Sequence, residues 1–196
     1  MNTSAKIPFR IAFGVLWIVH FGVRLHFQRK IALNQTYTHV NEKKEKHLFG
    51  LFAIATLLLP FYFLTSWVDA AHFPLPVWLR WTGCALTGAG IVLFGWAHHA
   101  LGQSWSDMLA LSQKHEWVMN GPYHYVRHPT YTAFSMIGCF LLLSANWLVG
   151  VVYIGTLFVM VASRLASKEQ MMLDRFGDAY RDYMQKTGCL VPRFRW

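Results

Sequence analysis

A chain of 196 residues is sized for one domain, and its 55% hydrophobic and 14% charged residues fall far from the about 25% charge of ordinary soluble domains. A formal charge of +9, joined to 16% aromatic residues and long uncharged runs, points to anionic lipid headgroups and away from nucleic acid. Cys84, Cys139 and Cys189 have neither paired nor metal-ligand spacing, which excludes a disulfide framework.

The first apolar run, 8–27, reads as a retained spanning helix, because no small-residue cleavage site follows a short apolar core. Arg10 and Arg24 near its ends are placed to snorkel to headgroups. The second run, 48–68, has no formal charge over 21 residues, and Pro60 predicts a kink. The third, 78–100, carries Gly83, Gly88 and Gly95 with Ala85 and Ala89, a small-residue series suited to close helix contact. His98 and His99 are expected to cap its end.

Residues 130–163 then supply 34 positions without Lys, Arg, Asp, Glu or His. One helix of that length would measure about 51 Å against a hydrocarbon core about 30 Å thick. The chain must fold back, and Ala145-Asn146-Trp147 is the predicted turn between short helices at 131–144 and 147–163. Beyond Arg164, residues Leu165, Met172, Leu173, Phe176, Tyr180, Tyr183 and Met184 recur mostly at three- and four-residue spacing, which predicts an amphipathic surface helix divided at Gly177.

The predicted fold class is therefore all-α and integral to the membrane. It has five transmembrane helices, the last two a short hairpin, with a small cytosolic pocket and a C-terminal amphipathic helix, all in one domain over 1–196. Six of the 18 Lys and Arg lie in 24–46 and seven in 164–195, with Lys114 and Arg127 between the third helix and the hairpin. The positive-inside rule puts these regions in the cytosol and the N-terminus outside. Trp67, Trp78, Trp81 and Trp147 then mark the outer interface, and Trp96, Trp105 and Trp117 the inner one.

Three polar clusters converge on the cytosolic side: 101–106 (Leu-Gly-Gln-Ser-Trp-Ser), 115–131, and Arg164 with Lys168 and Glu169. The hairpin returns the chain so that the second and third face one another. No Gly-rich phosphate loop is present. His124 and His128 have the four-residue spacing of a metal pair, but no third ligand is placed and Pro129 interrupts the helix, so no metal is expected. Arg127, His128 and Tyr131 also suit a plain interfacial anchor.

Leu101-Gly102-x-x-Trp105-Ser106, His115-x-x-Val118, Gly121-Pro122-Tyr123-x-Tyr125-Val126-Arg127-His128-Pro129-x-Tyr131, the apolar hairpin, Arg164 with a downstream acid, Phe176-Gly177-x-x-Tyr180-x-x-Tyr183 and Thr187-Gly188-x-Leu190-x-Pro192 occur in that order. This ordered set, over about 95–194, resembles the isoprenylcysteine carboxyl methyltransferase family, in the manner of its short five-helix microbial members. The resemblance implies an integral membrane methyltransferase using S-adenosyl-L-methionine. It implies a cofactor site at His115, Glu116, Trp117, Val118, Tyr123, Arg127, His128, Pro129, Thr130, Tyr131 and Glu169. Arg164 corresponds to a substrate-directed arginine, so Arg164, Glu169 and His128 are the candidate catalytic residues. Two positions depart from the family: Lys168-Glu169 stands where a Glu-Glu doublet is usual, and Ala133 where a glycine is usual.

The chemistry of these residues suits that cofactor. Glu169 can pair with its ammonium, and Arg127 or His128 can receive its carboxylate. Tyr123, Tyr125 or Trp117 can cover the adenine or face the sulfonium. A carboxylate acceptor is already ionised and needs no base, whereas an amine or thiol would call on His128. The expected partners are a lipophilic acceptor entering from the bilayer, such as a prenylcysteine-type carboxylate, and membrane lipids. The alternatives are a phospholipid or amine N-methyltransferase of the same fold, an NADPH-dependent sterol-type reductase, and a non-enzymatic membrane protein retaining the fold. The reductases look like Arg-His-Pro-Asn-Tyr followed by Gly-Glu, where this chain has Thr130, Ala133 and Phe134.

Overall fold

Apolar runs form long helices here, and Pro60, Gly102, Ala145 and Gly177 stand where one stops or restarts. The computed structural model describes residues 3–31, 37–39, 42–102, 110–112 and 117–193. The helices are α1 (Thr3–Ile31), α2 (Glu42–Leu58), α3 (Pro60–Leu64), α4 (Val77–Leu101), α5 (Pro129–Ile137), α6 (Phe140–Ser144), α7 (Trp147–Phe176) and α8 (Asp178–Lys186). One two-stranded antiparallel ribbon, β1 (Tyr37–His39) with β2 (Ala110–Ser112), pairs Thr38 with Leu111. The all-α expectation did not include it.

Among the described residues, three helices are long and apolar enough to cross a membrane: Lys6–Arg29, Val77–Leu101 and Trp147–Phe176. The second and fourth predicted spans are the shorter apolar helices Gly50–Leu64 and Pro129–Ser144. Both are interrupted. Pro60 begins α3 as a new helix at its first turn, where a missing N–H costs nothing, and α5 gives way to α6 at Gly138 and Cys139.

The predicted fold-back is present. Ala145 adopts φ 50° and ends α6, and Asn146 starts α7 by accepting from the N–H groups of Leu148 (3.1 Å) and Val149 (3.2 Å). Asn146 Nδ2 also donates to Val68 O at 2.6 Å, so one side chain ties the turn to the neighbouring loop. Arg80 of α4 is buried beside it. Its Nε and Nη2 donate to Leu143 O at 3.0 and 2.9 Å, satisfying carbonyls that the end of α6 leaves without helical partners. Its guanidinium lies 3.6 Å from the Phe9 ring centroid. Arg10 of α1 donates to Thr65 O at 3.2 Å and pairs with Asp69.

The fifth helix differs most from expectation. It does not stop at Ser163 but runs to Phe176, 30 residues, because no glycine or proline occurs from 156 to 176. At about 45 Å it outreaches a hydrocarbon core of about 30 Å. The amphipathic segment is thus the projecting end of α7, followed by α8 after Gly177 at φ 56°.

Close packing of α4 rests on two glycines. A Cβ at Gly83 would lie 2.7 Å from Leu143 N, and one at Gly90 would lie 2.9 Å from Ala133 O and Ile137 N. Gly88 and Gly95 of the predicted series instead face Leu16 and Val23 loosely, at 3.9 and 3.8 Å. Phe13, Phe52, Phe94, Ile137, Phe140, Leu143, Tyr153 and Met160 fill the core between these helices.

Candidate active site

The site begins with the loop entering α5. Gly121 takes φ 59°, and a Cβ there would meet Trp96 Nε1 at 3.2 Å, so the chain turns tightly against the end of α4. A 3-10 turn, Gly121–His124, buries Pro122 and Tyr123. His128 precedes α5 as its N-cap residue, and Pro129 occupies the first turn.

Across from this loop, α7 presents Lys168 and Glu169. Arg127 Nε donates to Glu169 Oε1 at 2.9 Å, with Nη2 also 2.9 Å from that oxygen. His128 Nε2 lies 3.3 Å from the same oxygen. The expected meeting of the 121–131 block with Glu169 across the hairpin is therefore present in the geometry. The partners differ from the sequence reading: groups expected to grip opposite ends of a zwitterion hold one another.

A third wall comes from 187–190. Arg127 N donates to Gly188 O at 2.8 Å and His128 N to Cys189 O at 3.1 Å. Arg127 Nη1 donates to Thr187 O at 2.6 Å and Met184 O at 3.1 Å, and Thr132 Oγ1 to Leu190 O at 2.6 Å. The expected cofactor-binding core, about 101–131 plus 164–194, included the Thr187-Gly188-x-Leu190 motif but gave its residues no contact. No periodicity signals it, because the contacts are made by its backbone carbonyls.

Rings complete the surroundings. His128 stacks on Tyr131 with centroids 5.6 Å apart, and Lys168 Nζ lies 5.8 Å from the Tyr131 centroid on the α7 side. Trp117 packs against Phe176, Tyr180 and Tyr183 at 5.5, 5.7 and 5.3 Å, so its ring joins the loop to α8. Tyr183 donates its hydroxyl to Tyr123 O. Val118 and Thr130 are half-buried beside these groups, and Arg164 is buried at 2% exposure, about 7.5 Å of helix rise below Glu169. His115, Glu116 and Trp105 lie outside the described residues.

Burial sets the protonation states. It holds the His128 imidazole below its ordinary pKa, against the upward pull of the Glu169 hydrogen bond, so the ring is neutral at pH 7. Burial pushes the Tyr183 phenol up to about 12 despite Arg127, and raises Tyr123 and Tyr180 further, which keeps these hydroxyls as donors. The Cys189 thiol is raised by burial and then by the charge of Glu169.

His128, Glu169 and Cys189 bring potential ligand atoms within 4.8 Å of one another, a set that zinc accepts in type. Its chemistry is poor for that ion: Oε1 of Glu169 is engaged by a guanidinium, and the thiol is held protonated. The set suits an amino-acid headgroup better, with a carboxylate for its ammonium held in place by the guanidinium, an imidazole beside it and aromatic faces at its edge.

Comparison with known proteins points to one family. The sequence model of the isoprenylcysteine carboxyl methyltransferase family matches residues 81–174. The chain is 32% identical over 95 residues to the Schizosaccharomyces pombe protein-S-isoprenylcysteine O-methyltransferase, covering 46% of this chain and 40% of that protein. It is 30% identical over 118 residues to the Saccharomyces cerevisiae protein of the same name, covering 56% and 49%. The chain thus spans about half or less of the relatives it matches. A solved structure of a eukaryotic intramembrane Ras methyltransferase, an isoprenylcysteine carboxyl methyltransferase, superimposes with a TM-score of 0.53 over 79% of this chain and 53% of that one, at 24% identity. That likeness establishes a shared fold.

Proposed function

We propose, from the match of residues 81–174 to the isoprenylcysteine carboxyl methyltransferase family, that this membrane protein is an S-adenosyl-L-methionine-dependent methyltransferase acting on a lipophilic carboxylate, of which a prenylcysteine is the leading example. The observation that carries the reading is the convergence of Arg127, His128 and Glu169 across the apolar hairpin. These residues lie within the family match and join a polar site to helices of membrane length.

When bound, the cofactor supplies an electrophilic methyl group on a sulfonium. Glu169 is the acid suited to its ammonium, and His128, neutral and aimed at the same point, completes the polar grip. Tyr131, stacked on His128, offers an aromatic face next to that grip. Arg164, buried on the bilayer side of Glu169, suits the acceptor's carboxylate. A carboxylate arrives ionised, so none of these residues has to remove a proton. Their work is positioning and exclusion of water. Five membrane crossings, with the site on the cytosolic side, complete the reading and follow from the charge distribution of the sequence.

The experiment is a methyl-transfer assay on purified protein in nanodiscs, using isotopically labelled S-adenosyl-L-methionine. A farnesylated cysteine with a free carboxylate, its amide and phosphatidylethanolamine are the acceptors. Base-labile label on the free carboxylate alone is the expected result. Transfer to phosphatidylethanolamine alone would replace this reading with an amine methyltransferase, and transfer to none of the three would contradict it.

A further inference from the structure

We infer that Arg127 is a positioning residue, not a cofactor ligand, and that it docks the segment 187–190 as a wall of the cofactor site, so that segment docking and cofactor binding are linked. This inference rests on the functional reading above.

A guanidinium receives a carboxylate through one of its two-nitrogen edges. In Arg127 the Nε/Nη2 edge faces Glu169, with both nitrogens 2.9 Å from Oε1. Nη1 is given to Thr187 O and Met184 O. No edge is left open for a cofactor carboxylate. The residue instead joins three elements: the loop before α5, the end of α7 at Glu169, and the chain leaving α8.

The backbone repeats the same connection. The N–H groups of Arg127 and His128 donate to Gly188 O and Cys189 O, and Thr132 Oγ1 holds Leu190 O. Cys189 Sγ, 3.9 Å from Glu169 Oε1, shows how near the segment comes to the acid. Releasing 187–190 would strip His128 of its backbone partner and open Glu169 to water. Docking therefore fixes the geometry of the two groups assigned to the cofactor. By reciprocity, a ligand held by those groups stabilises the docked segment.

The test uses full-length protein in nanodiscs, S-adenosylhomocysteine as the probe, and two readouts. Amide exchange at residues 127 and 128 reports docking, and calorimetric titration reports affinity. In wild-type protein, saturating S-adenosylhomocysteine should slow that exchange. Arg127→Met should speed it about tenfold or more, and raise the Kd by the factor by which the docked fraction falls. Arg127→Lys keeps the charge but not the fork and should give an intermediate value of both. Thr132→Val, which removes the Leu190 contact and with it a longer bond of 3.3 Å to His128 O, should shift both in the same direction and serves if the Arg127 variants fail to fold.

Exchange near the rate of an unprotected amide, which means a segment largely undocked, together with wild-type affinity would overturn the linkage. Lost affinity with slow, wild-type exchange would overturn the positioning role and restore Arg127 as a direct ligand. Absence of binding by folded wild-type protein overturns the functional reading and the linkage together, while the docking role of Arg127 is still read from exchange alone.

Discussion

At the scale of single residues, the charge of Glu169 is shared through one oxygen between a guanidinium and a neutral imidazole. Charge-assisted bonds of this kind are stronger than neutral ones, and leaving Arg127 buried without its acid is costly. Glu169→Gln should therefore weaken S-adenosylhomocysteine binding by an order of magnitude or more and lower the melting temperature, both measurable on one preparation. His128 makes a separate prediction. Its pKa in the fold lies below the unfolded value of about 6.5, mainly through burial. The unfolded chain then takes up this proton first as the pH falls, so the stability it contributes is full above about 6.5 and declines below. His128→Asn should lose less stability than wild type between pH 7 and pH 5 in thermal melts. An equal loss would assign the acid sensitivity elsewhere. Lys168, which departs from the family's acid, lies against the Tyr131 ring, and it is Glu169, one position on, that meets Arg127 and His128.

At the scale of elements, the fold is held by close approach of α4 to α5 and α6 and by the polar lock at the fold-back. Both make distinguishing predictions. Gly90→Ala puts a methyl group 2.9 Å from backbone atoms of α5, and overpacking of this kind costs about 1–3 kcal/mol. Gly88→Ala on the same helix meets only Leu16 at 3.9 Å, and should be neutral or stabilising by virtue of its helix propensity. Equal melting temperatures for the two would refute the assigned contact face. Arg80→Leu removes the donors to Leu143 O, and buried acceptors left without partners cost about 1–3 kcal/mol each. A melting temperature unchanged in Arg80→Leu would show that the lock contributes nothing.

At the scale of the molecule, what the sequence revealed follows from the range of the forces involved. Membrane thickness is a constant, so an uncharged run of 34 residues had to turn back, and Ala145-Asn146-Trp147 was legible as the turn, though not Asn146 as the cap of the second arm. The ordered aromatic and basic motifs made the meeting of His128 with Glu169 legible, because a short hairpin returns to the same membrane face. The continuity of α7 past Arg164 was missed because a change from apolar to amphipathic pattern looks like a boundary, although no breaker residue marks one. Arg80 was missed because a lone arginine in an apolar run resembles an interfacial anchor until its carbonyl partners, 63 positions away, are known. The contacts of Arg127 to 184–189 were missed because they are to backbone, on which side-chain patterns are silent.

The site assembled by α5, α7 and the segment 187–190 is most directly tested by titrating purified wild-type protein, in nanodiscs and with its fold verified by a cooperative melt, with S-adenosylhomocysteine. The account predicts saturable binding at one site per chain, abolished by His128→Ala in a protein that still melts cooperatively. No heat of binding to folded wild-type protein, or an undiminished affinity in His128→Ala, would contradict it.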